Sequence, residues 1–306
     1  MPRRFKKRQF IFFLIAVFIV MIFWREYYQH QPPENKPPQN IISTVVDTGL
    51  NNNVIPAIDD PVFESVADAD SYLENDGLGV VLNEGRTAVF YPFQILVWHN
   101  IVNDISGKVP ILISYNPLCD NAAIFERMTT DGVLLFKNSG QVLNNSLLIT
   151  DEFNNSLWNP LTGQAISETV SDQSLHRLVS TVMPWASFKK NFPNGQVLSR
   201  ETGVERDYSY NPYSNYAASP DVIFSLEKYD TKFSIKTKVF VYGKAVYSED
   251  NIKTQKTIND QGIRFVWDED WQAVRGYQIA EDGSNGEEIG LYSGYWMCWA
   301  GQLSKP

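Results

Sequence analysis

From residue 54 onward the chain consists of short apolar runs interrupted by turn residues, and this pattern limits its possible folds more than any other feature. Runs rich in Val, Ile and Phe favour strands over helices. Asp131 with Gly132, and Ser-Gly-Lys at 106–108, are typical of tight turns between neighbouring strands. Strands this close along the chain pair antiparallel, so the sequence predicts a mainly β fold with a few short helices, a β-rich α+β class. The predicted strands include 80–82, 87–90, 111–113, 123–125 and 133–136.

Three segments have the signals of short helices. Segment 65–73 opens with Ser65 and Asp68 at the spacing of a helix cap, and its apolar residues share one side. Segment 92–102 begins with a proline, which suits the first turn of a helix, and its apolar residues recur at helical spacing. Segment 184–192 has two aromatic residues three positions apart. The sequence therefore predicts helices in these three places.

The second half of the chain repeats motifs of the first half. A Gly-Arg-Thr-Ala-Val-Phe motif from Gly85, followed by Val-Asn-Asp at 102–104, corresponds to Gly-Lys-Ala-Val-Tyr from Gly243, followed by Ile-Asn-Asp at 258–260. Such an internal repeat predicts two related β subdomains, the second one shortened. Brief, gapped matches of this kind also arise by chance.

The amino terminus combines a basic cluster with the apolar run 10–24, which Arg25 follows. A helix of this length reaches about 22 Å, short of the roughly 30 Å hydrocarbon core, and flanking Arg and Tyr side chains can extend it. A cleaved signal peptide is the alternative, but it requires small residues after the run, where Trp24 to Tyr28 stand instead. The sequence predicts a single-pass signal anchor in the cell membrane, with the amino terminus cytoplasmic and the globular part extracytoplasmic.

The charge of the chain is unevenly distributed. The net charge is −9, but the first 24 residues carry five basic groups and no acid, so the rest has 21 basic against 35 acidic groups, a balance of −14. A body this acidic repels phosphate backbones, which argues against nucleic-acid binding.

The predicted domains are a cytoplasmic stub with a transmembrane signal anchor at 1–28, a Pro-rich tether at 29–53, a first β-rich repeat with helix 92–102 at 54–214, and a shortened second repeat at 215–306.

Several short motifs lie between residue 55 and the carboxyl terminus, at 91–104 (YPFQILVWHNIVND), 115–119 (YNPLC), 156–158, 162–165, 197–203, 206–208 and 211–213. Together they resemble the DUF3179 family of bacterial and archaeal proteins. That family has no established activity, so the resemblance implies identity and no mechanism. This chain departs from the family's usual Cys-Pro-Leu-Cys motif, because Asn116 takes the place of the first cysteine.

His99 and Cys119 are the candidate catalytic residues. A two-cysteine loop at Cys119 would resemble a redox or soft-metal site, but Asn116 makes a dithiol cycle within the motif impossible. A single thiol polarised by His99 remains one interpretation. The other is that His99 forms a hydrogen bond with a neighbouring strand and that Cys119 packs as a small apolar residue. Cys298 could pair with Cys119 in an oxidising compartment, or lie buried as a free thiol.

No metal is assigned and the cofactor is unknown, although His99, Cys119 and Met128 are ligand types that suit copper or zinc. The chain lacks the signatures of serine hydrolases, P-loop nucleotide-binding proteins and zinc proteases.

The sequence predicts a ligand-binding module for a small molecule, glycan or peptide, with a pocket near His99 and Cys119. The alternative is a thiol-dependent enzyme or a redox or soft-metal protein that uses this pair. The predicted binding residues are Trp98, Asn103, Asp104, Asn116, Arg206, Asp207 and Tyr208.

Overall fold

The computed structural model describes residues 45–49, 54–83, 85, 87–167, 172–224, 226 and 230–303. The protein is mainly β, with 43% strand and 13% helix, as the short apolar runs predict. The helices are α1 (Val66–Ala69), α2 (Phe93–His99), α3 (Trp185–Asn191), α4 (Glu249–Gln255) and α5 (Trp296–Leu303). The strands in chain order are β1 (Val46–Asp47), β2 (Phe63–Ser65), β3 (Leu78–Asn83), β4 (Ala88–Pro92), β5 (Ile101–Ser106), β6 (Val109–Asn116), β7 (Asn121–Glu126), β8 (Met128–Thr129), β9 (Gly132–Val133), β10 (Phe136–Leu143), β11 (Ser146–Asp151), β12 (Leu157–Asn159), β13 (Gln164–Ala165), β14 (Ser180–Pro184), β15 (Gln196–Leu198), β16 (Lys238–Tyr242), β17 (Ala245–Ser248), β18 (Thr257–Asp260), β19 (Ile263–Asp268), β20 (Ala273–Ile279), β21 (Asn285–Ile289) and β22 (Tyr292–Tyr295).

Five small sheets lie in a β-propeller arrangement, and β8 and β9 form a separate hairpin. Among these strands, β15 pairs parallel with β4 and all other pairings are antiparallel. Antiparallel pairing dominates because short turns join consecutive strands. The strand orders are β1-β10-β11-β12-β13, β14-β3-β4-β15-β2, β5-β6-β7, β17-β16-β22 and β18-β19-β20-β21.

The prediction of two related subdomains is wrong. The described residues from 45 to 303 form one compact unit. Within it β7 packs against β22, and β14 packs against β20. Sheets from the first half of the chain are therefore in direct contact with sheets from the second half. A hairpin, a short helix and three antiparallel strands follow one another both at 78–126 and at 238–279. Both stretches are built into the same unit, so neither forms a separate subdomain.

The predicted membrane anchor at 10–24 lies outside the described residues, as do the stub and most of the tether. Among the residues that the structure describes, no helix has both the length and the apolar character needed to cross a membrane. Residues 45–49 of the predicted tether are described, and β1 within them pairs with β10.

The predicted helix 92–102 is shorter than its apolar periodicity indicates. It ends at His99, because Asn100 adopts a left-handed conformation (φ 64°) that terminates the helix. Ile101 and Val102 belong instead to β5, where they pair with β6. Helix α1 begins as predicted, with the Oγ atom of Ser65 accepting a hydrogen bond from the Asp68 amide at 3.2 Å, but it ends at Ala69, before residue 73.

Helix α3 packs on the sheet that contains β3 and β4 through aromatic contacts. The ring of Phe90 lies 5.3 Å from that of Trp185 and 5.0 Å from that of Phe188, measured between centroids. The ring also covers Gly79 on the adjacent strand, where an added Cβ atom would lie 2.4 Å from Cζ of Phe90. A side chain at position 79 would therefore displace the ring.

Candidate functional site

Cys119 and Cys298 form a disulfide bond, so the two cysteines of the chain are paired. Their Cα atoms lie 6.0 Å apart, and both residues are fully buried. The bond joins the turn before β7 to helix α5. In this state Cys119 has no thiol for nucleophilic attack, and the imidazole of His99 contacts Pro56 and Tyr208 instead.

His99 lies at the end of α2 with both ring nitrogens engaged. Nδ1 is 2.9 Å from the carbonyl oxygen of Pro56, and Nε2 is 2.7 Å from the hydroxyl of Tyr208. Because a carbonyl only accepts, Nδ1 carries the proton, and Nε2 accepts a hydrogen bond from Tyr208. The Tyr208 hydroxyl lies 2.6 Å from Oγ1 of Thr202, which donates to it. Burial lowers the pKa of His99, so the neutral ring that this geometry requires is also the favoured form.

Three predicted binding residues form buried hydrogen bonds within the protein that hold strands and a turn in place. Asn103 donates to Oδ1 of Asp59 at 2.7 Å and to the carbonyl of Phe136 at 2.8 Å, and its Oδ1 accepts from the Phe136 amide. Asp104 accepts from the hydroxyl of Tyr91 at 2.7 Å. Asn116 accepts from the amide two residues later, at 3.1 Å, and so closes the turn that precedes Cys119. All three side chains are buried.

The remaining predicted binding residues lie around the loop that follows β15. The guanidinium carbon of Arg206 is 5.9 Å from the ring centroid of Trp98, and Nε1 of Trp98 donates to the carbonyl of Tyr210 at 3.0 Å. Asp207 accepts hydrogen bonds from the hydroxyl and amide of Ser209, which lower the pKa of its carboxyl. Tyr208 connects this loop to His99, whereas Cys119 lies in another cluster of the core. The predicted site residues thus do not form one pocket.

A cavity of about 120 Å³ lies where four of the five sheets meet, and we call it the junction cavity. Its walls come from β7, from β3 and β14, from β16 and β22, and from β20 and β21, with one residue from α4. Asp120, next to Cys119, also lines it. A concave site at the meeting point of several elements is a typical place for a ligand.

Arg177, just before β14, is the most unusual residue of the junction cavity. Its backbone pairs with Phe125 of β7, and its guanidinium carbon lies 4.5 Å from the ring centroid of Tyr292. Its Nε and Nη1 atoms are buried without a hydrogen-bond partner. The hydroxyl of Ser180, on the same wall, is also buried and has no hydrogen-bond partner. Burial lowers the pKa of Arg177 to about 10, so the side chain stays charged at neutral pH. Several other buried side chains of the described residues also have unpartnered polar atoms, but among the residues that line the junction cavity only Arg177 and Ser180 do. Buried polar groups are usually paired, so this coincidence in one cavity requires a reason.

The other cations of the junction cavity have acidic partners. Lys238 lies 2.6 Å from a carboxylate oxygen of Asp120. Arg275 forms two hydrogen bonds to Glu288, at 2.8 and 2.6 Å, and a third to Asp268 at 3.0 Å. Arg177 therefore differs from the other basic residues of the wall, because the structure pairs it with aromatic rings and with no carboxylate.

Sequence reasoning missed Arg177 and Ser180. They lie in the segment 175–183 (LHRLVSTVM), where nothing in the sequence marks them as different from other Arg and Ser residues. Only the contacts that their side chains lack identify them. In the part of the chain that the structure describes, no group of three or more His, Cys, Asp and Glu side chains is placed to hold a metal ion.

Comparison with known proteins identifies a family. No curated protein and no solved structure matches the chain. A family model described as "Protein of unknown function (DUF3179)" matches residues 52–298. The match covers most of the chain, including β2 to β22, the disulfide and the junction cavity. The chain therefore belongs to the DUF3179 family.

Proposed function

We propose that this protein is an extracytoplasmic ligand-binding domain and that the junction cavity is its binding site. The observation that carries this proposal is that Arg177 and Ser180 line the same cavity and that both have buried polar atoms without a hydrogen-bond partner. A buried polar group without a partner costs about 1–3 kcal/mol, and more when it is charged. A bound ligand that accepts these hydrogen bonds would offset the cost.

This site differs from the one predicted at His99 and Cys119. Both nitrogens of His99 are already bonded, and Cys119 is joined to Cys298. A thiol-dependent or redox protein stays the alternative prediction, and it requires the disulfide to open. Labelling with a maleimide tests it: we expect no reaction in the native protein and two labelled cysteines after reduction in denaturant. Labelling of the native protein would favour the alternative.

The location outside the cytoplasm is supported by the disulfide, because such bonds persist in oxidising compartments and are rare in the cytosol. Attachment to the cell membrane through residues 10–24 stays a prediction. Fractionation of the source cell, with protease added to the intact outer surface or to spheroplasts, tests both. Digestion of the globular part only after cell lysis would contradict an extracytoplasmic location.

Ligand binding is tested with the full-length protein, its disulfide intact. We expect a small molecule to co-purify with the protein in native mass spectrometry, or at least one of acetate, acetamide and methylammonium to raise its melting temperature saturably. Ala122→Leu adds bulk to the cavity wall and should abolish the response. Ser180→Val is the second cavity variant, should Ala122→Leu fail to fold, and Val109→Leu outside the wall is the control. The proposal is wrong if nothing binds, or if the folded cavity variants respond like the control.

A further inference from the structure

We infer that the ligand of the junction cavity is a small oxyanion, either a carboxylate or an inorganic oxyanion, which Arg177 binds with the help of Ser180. This inference rests on the proposed function, because it names the chemical class of ligand for the same cavity. It depends on three properties of the cavity: its charge, its free donors and its size.

The charge of the wall favours an anion. Lys238 and Arg275 are neutralised by carboxylates within hydrogen-bond distance, whereas the guanidinium of Arg177 faces the rings of Tyr292 and Phe125. A buried charge without a counter-ion is costly, and a ring face compensates it only in part. A neutral or cationic ligand would leave that charge uncompensated, whereas an anion would supply the missing partner.

One acid on the same wall does not supply the counter-charge. Glu249 lines the cavity, but the charged groups that act on its carboxyl are those of Lys238, Asp120, Asp250 and Lys253. Arg177 is not among them, and its own neighbours are the rings of Tyr292 and Phe125. Arg177 is thus left as the cation available to a ligand.

The free donors suit oxygen atoms. The buried Nε and Nη1 atoms of Arg177 carry three N–H groups between them, and the Ser180 hydroxyl adds one more. Guanidinium groups bind carboxylate, phosphate and sulfate oxygens through such donors. Gly290 leaves space beside the arginine, because an added Cβ atom would lie only 3.3 Å from Nε.

The size of the cavity limits the ligand to a few atoms. A cavity of about 150 Å³ accommodates benzene, which has six heavy atoms. The junction cavity, at about 120 Å³, therefore suits an anion of roughly four to six heavy atoms. Acetate, phosphate and sulfate fall within or close to this range, whereas nucleotides and oligosaccharides are too large to enter it whole.

Titration calorimetry on the full-length protein in a carboxylate-free and phosphate-free buffer tests the inference. The probes are acetate, phosphate, sulfate and acetamide, the last being the neutral isostere of acetate. We expect at least one anion to bind, and acetamide to bind at least about tenfold more weakly than acetate if acetate is that anion. Which anion binds separates a carboxylate ligand from an inorganic one.

Substitution of the anchor provides the second test. Arg177→Met should weaken anion binding by about ten- to a hundredfold, Arg177→Lys by less, and Ser180→Ala by about two- to tenfold. Arg200→Met is the matched control, because Arg200 also lies over a tyrosine ring, 3.8 Å from the centroid of Tyr72, but is exposed and outside the cavity. It should leave binding unchanged.

The stability of the ligand-free protein separates a binding role from a structural one. Because two of the three guanidinium nitrogens of Arg177 are buried without partners, Arg177→Met should raise the melting temperature in the absence of anions. A lower melting temperature, together with unchanged anion affinity, would overturn the inference. Binding of acetamide as tight as that of acetate would overturn it too, while leaving the cavity as a ligand site. Failure of every probe, with nothing co-purifying, would remove the proposed function as well.

Discussion

Cys119 and Cys298, 179 residues apart in the sequence, are joined by a buried disulfide that connects the turn before β7 to helix α5. The bond closes most of the globular part into one loop, so it restricts the unfolded chain more than a local cross-link would. It also accounts for both cysteines in a chain that has no other.

Removal of this disulfide should destabilise the protein strongly. We expect the double variant Cys119→Ser/Cys298→Ser to lose about 2–5 kcal/mol of unfolding free energy, because the unfolded chain regains conformational entropy. Urea denaturation followed by tryptophan fluorescence measures the loss. With dithiothreitol throughout, the wild-type transition should move to that of the variant. A wild-type midpoint unaffected by complete reduction would contradict the prediction.

His99 should make stability depend on pH in the mildly acidic range. Its pKa is lowered in the folded protein relative to the usual value of 6.5, so below about pH 6.5 the unfolded chain binds a proton that the folded protein does not. Stability should therefore fall as the pH drops from 6.5 towards the folded-state pKa, by up to about 1.4 kcal/mol per pH unit.

The measurement for His99 is urea unfolding at several pH values between 5 and 8. The variant His99→Gln should lack this part of the pH dependence and be less stable at pH 8, because glutamine cannot reproduce both ring hydrogen bonds. His176→Gln is the control, since that histidine is exposed. Equal pH slopes for wild type and His99→Gln would show that the ring titrates alike in both states.

Asn103 should tolerate no acidic replacement. Asn103→Asp loses two donated hydrogen bonds and places a carboxylate against Asp59 and the carbonyl of Phe136. We expect a loss of about 2–4 kcal/mol in the free energy of unfolding. Asn211→Asp is the matched control, because that exposed side chain serves as an acceptor for the Tyr213 amide and should change stability by less than about 0.5 kcal/mol. Equal losses for the two variants would contradict the role of Asn103.

Gly79 should require the absence of a side chain because the ring of Phe90 covers it. Gly79→Ala should cost about 1–3 kcal/mol of unfolding free energy through overpacking. In a Phe90→Leu background the added methyl group should cost less, since the ring that it would strike is gone. A double-mutant cycle by urea denaturation measures this coupling, and strictly additive losses would argue against it.

Local features of the chain were predictable from sequence. The mainly β class follows from short β-branched runs between turns, and the start of α1 follows from the Ser65 cap, because both depend on residues within a few positions of one another. The end of α2 was not predictable from periodicity, since Ile101 and Val102 keep the helical spacing but pair with β6 instead. Pairing across strands there prevails over the local pattern.

The sequence by itself determined the strand-rich class, the segments that carry the family motifs and the unequal charge of the two ends. Tertiary structure decided that Cys119 pairs with Cys298, that His99 bonds to Tyr208, and that Arg177 and Ser180 lack protein partners. The reason is physical. Hydrophobic periodicity and turn chemistry act between neighbours along the chain, whereas a disulfide, a fixed tautomer and an unpaired buried charge depend on which distant strands meet.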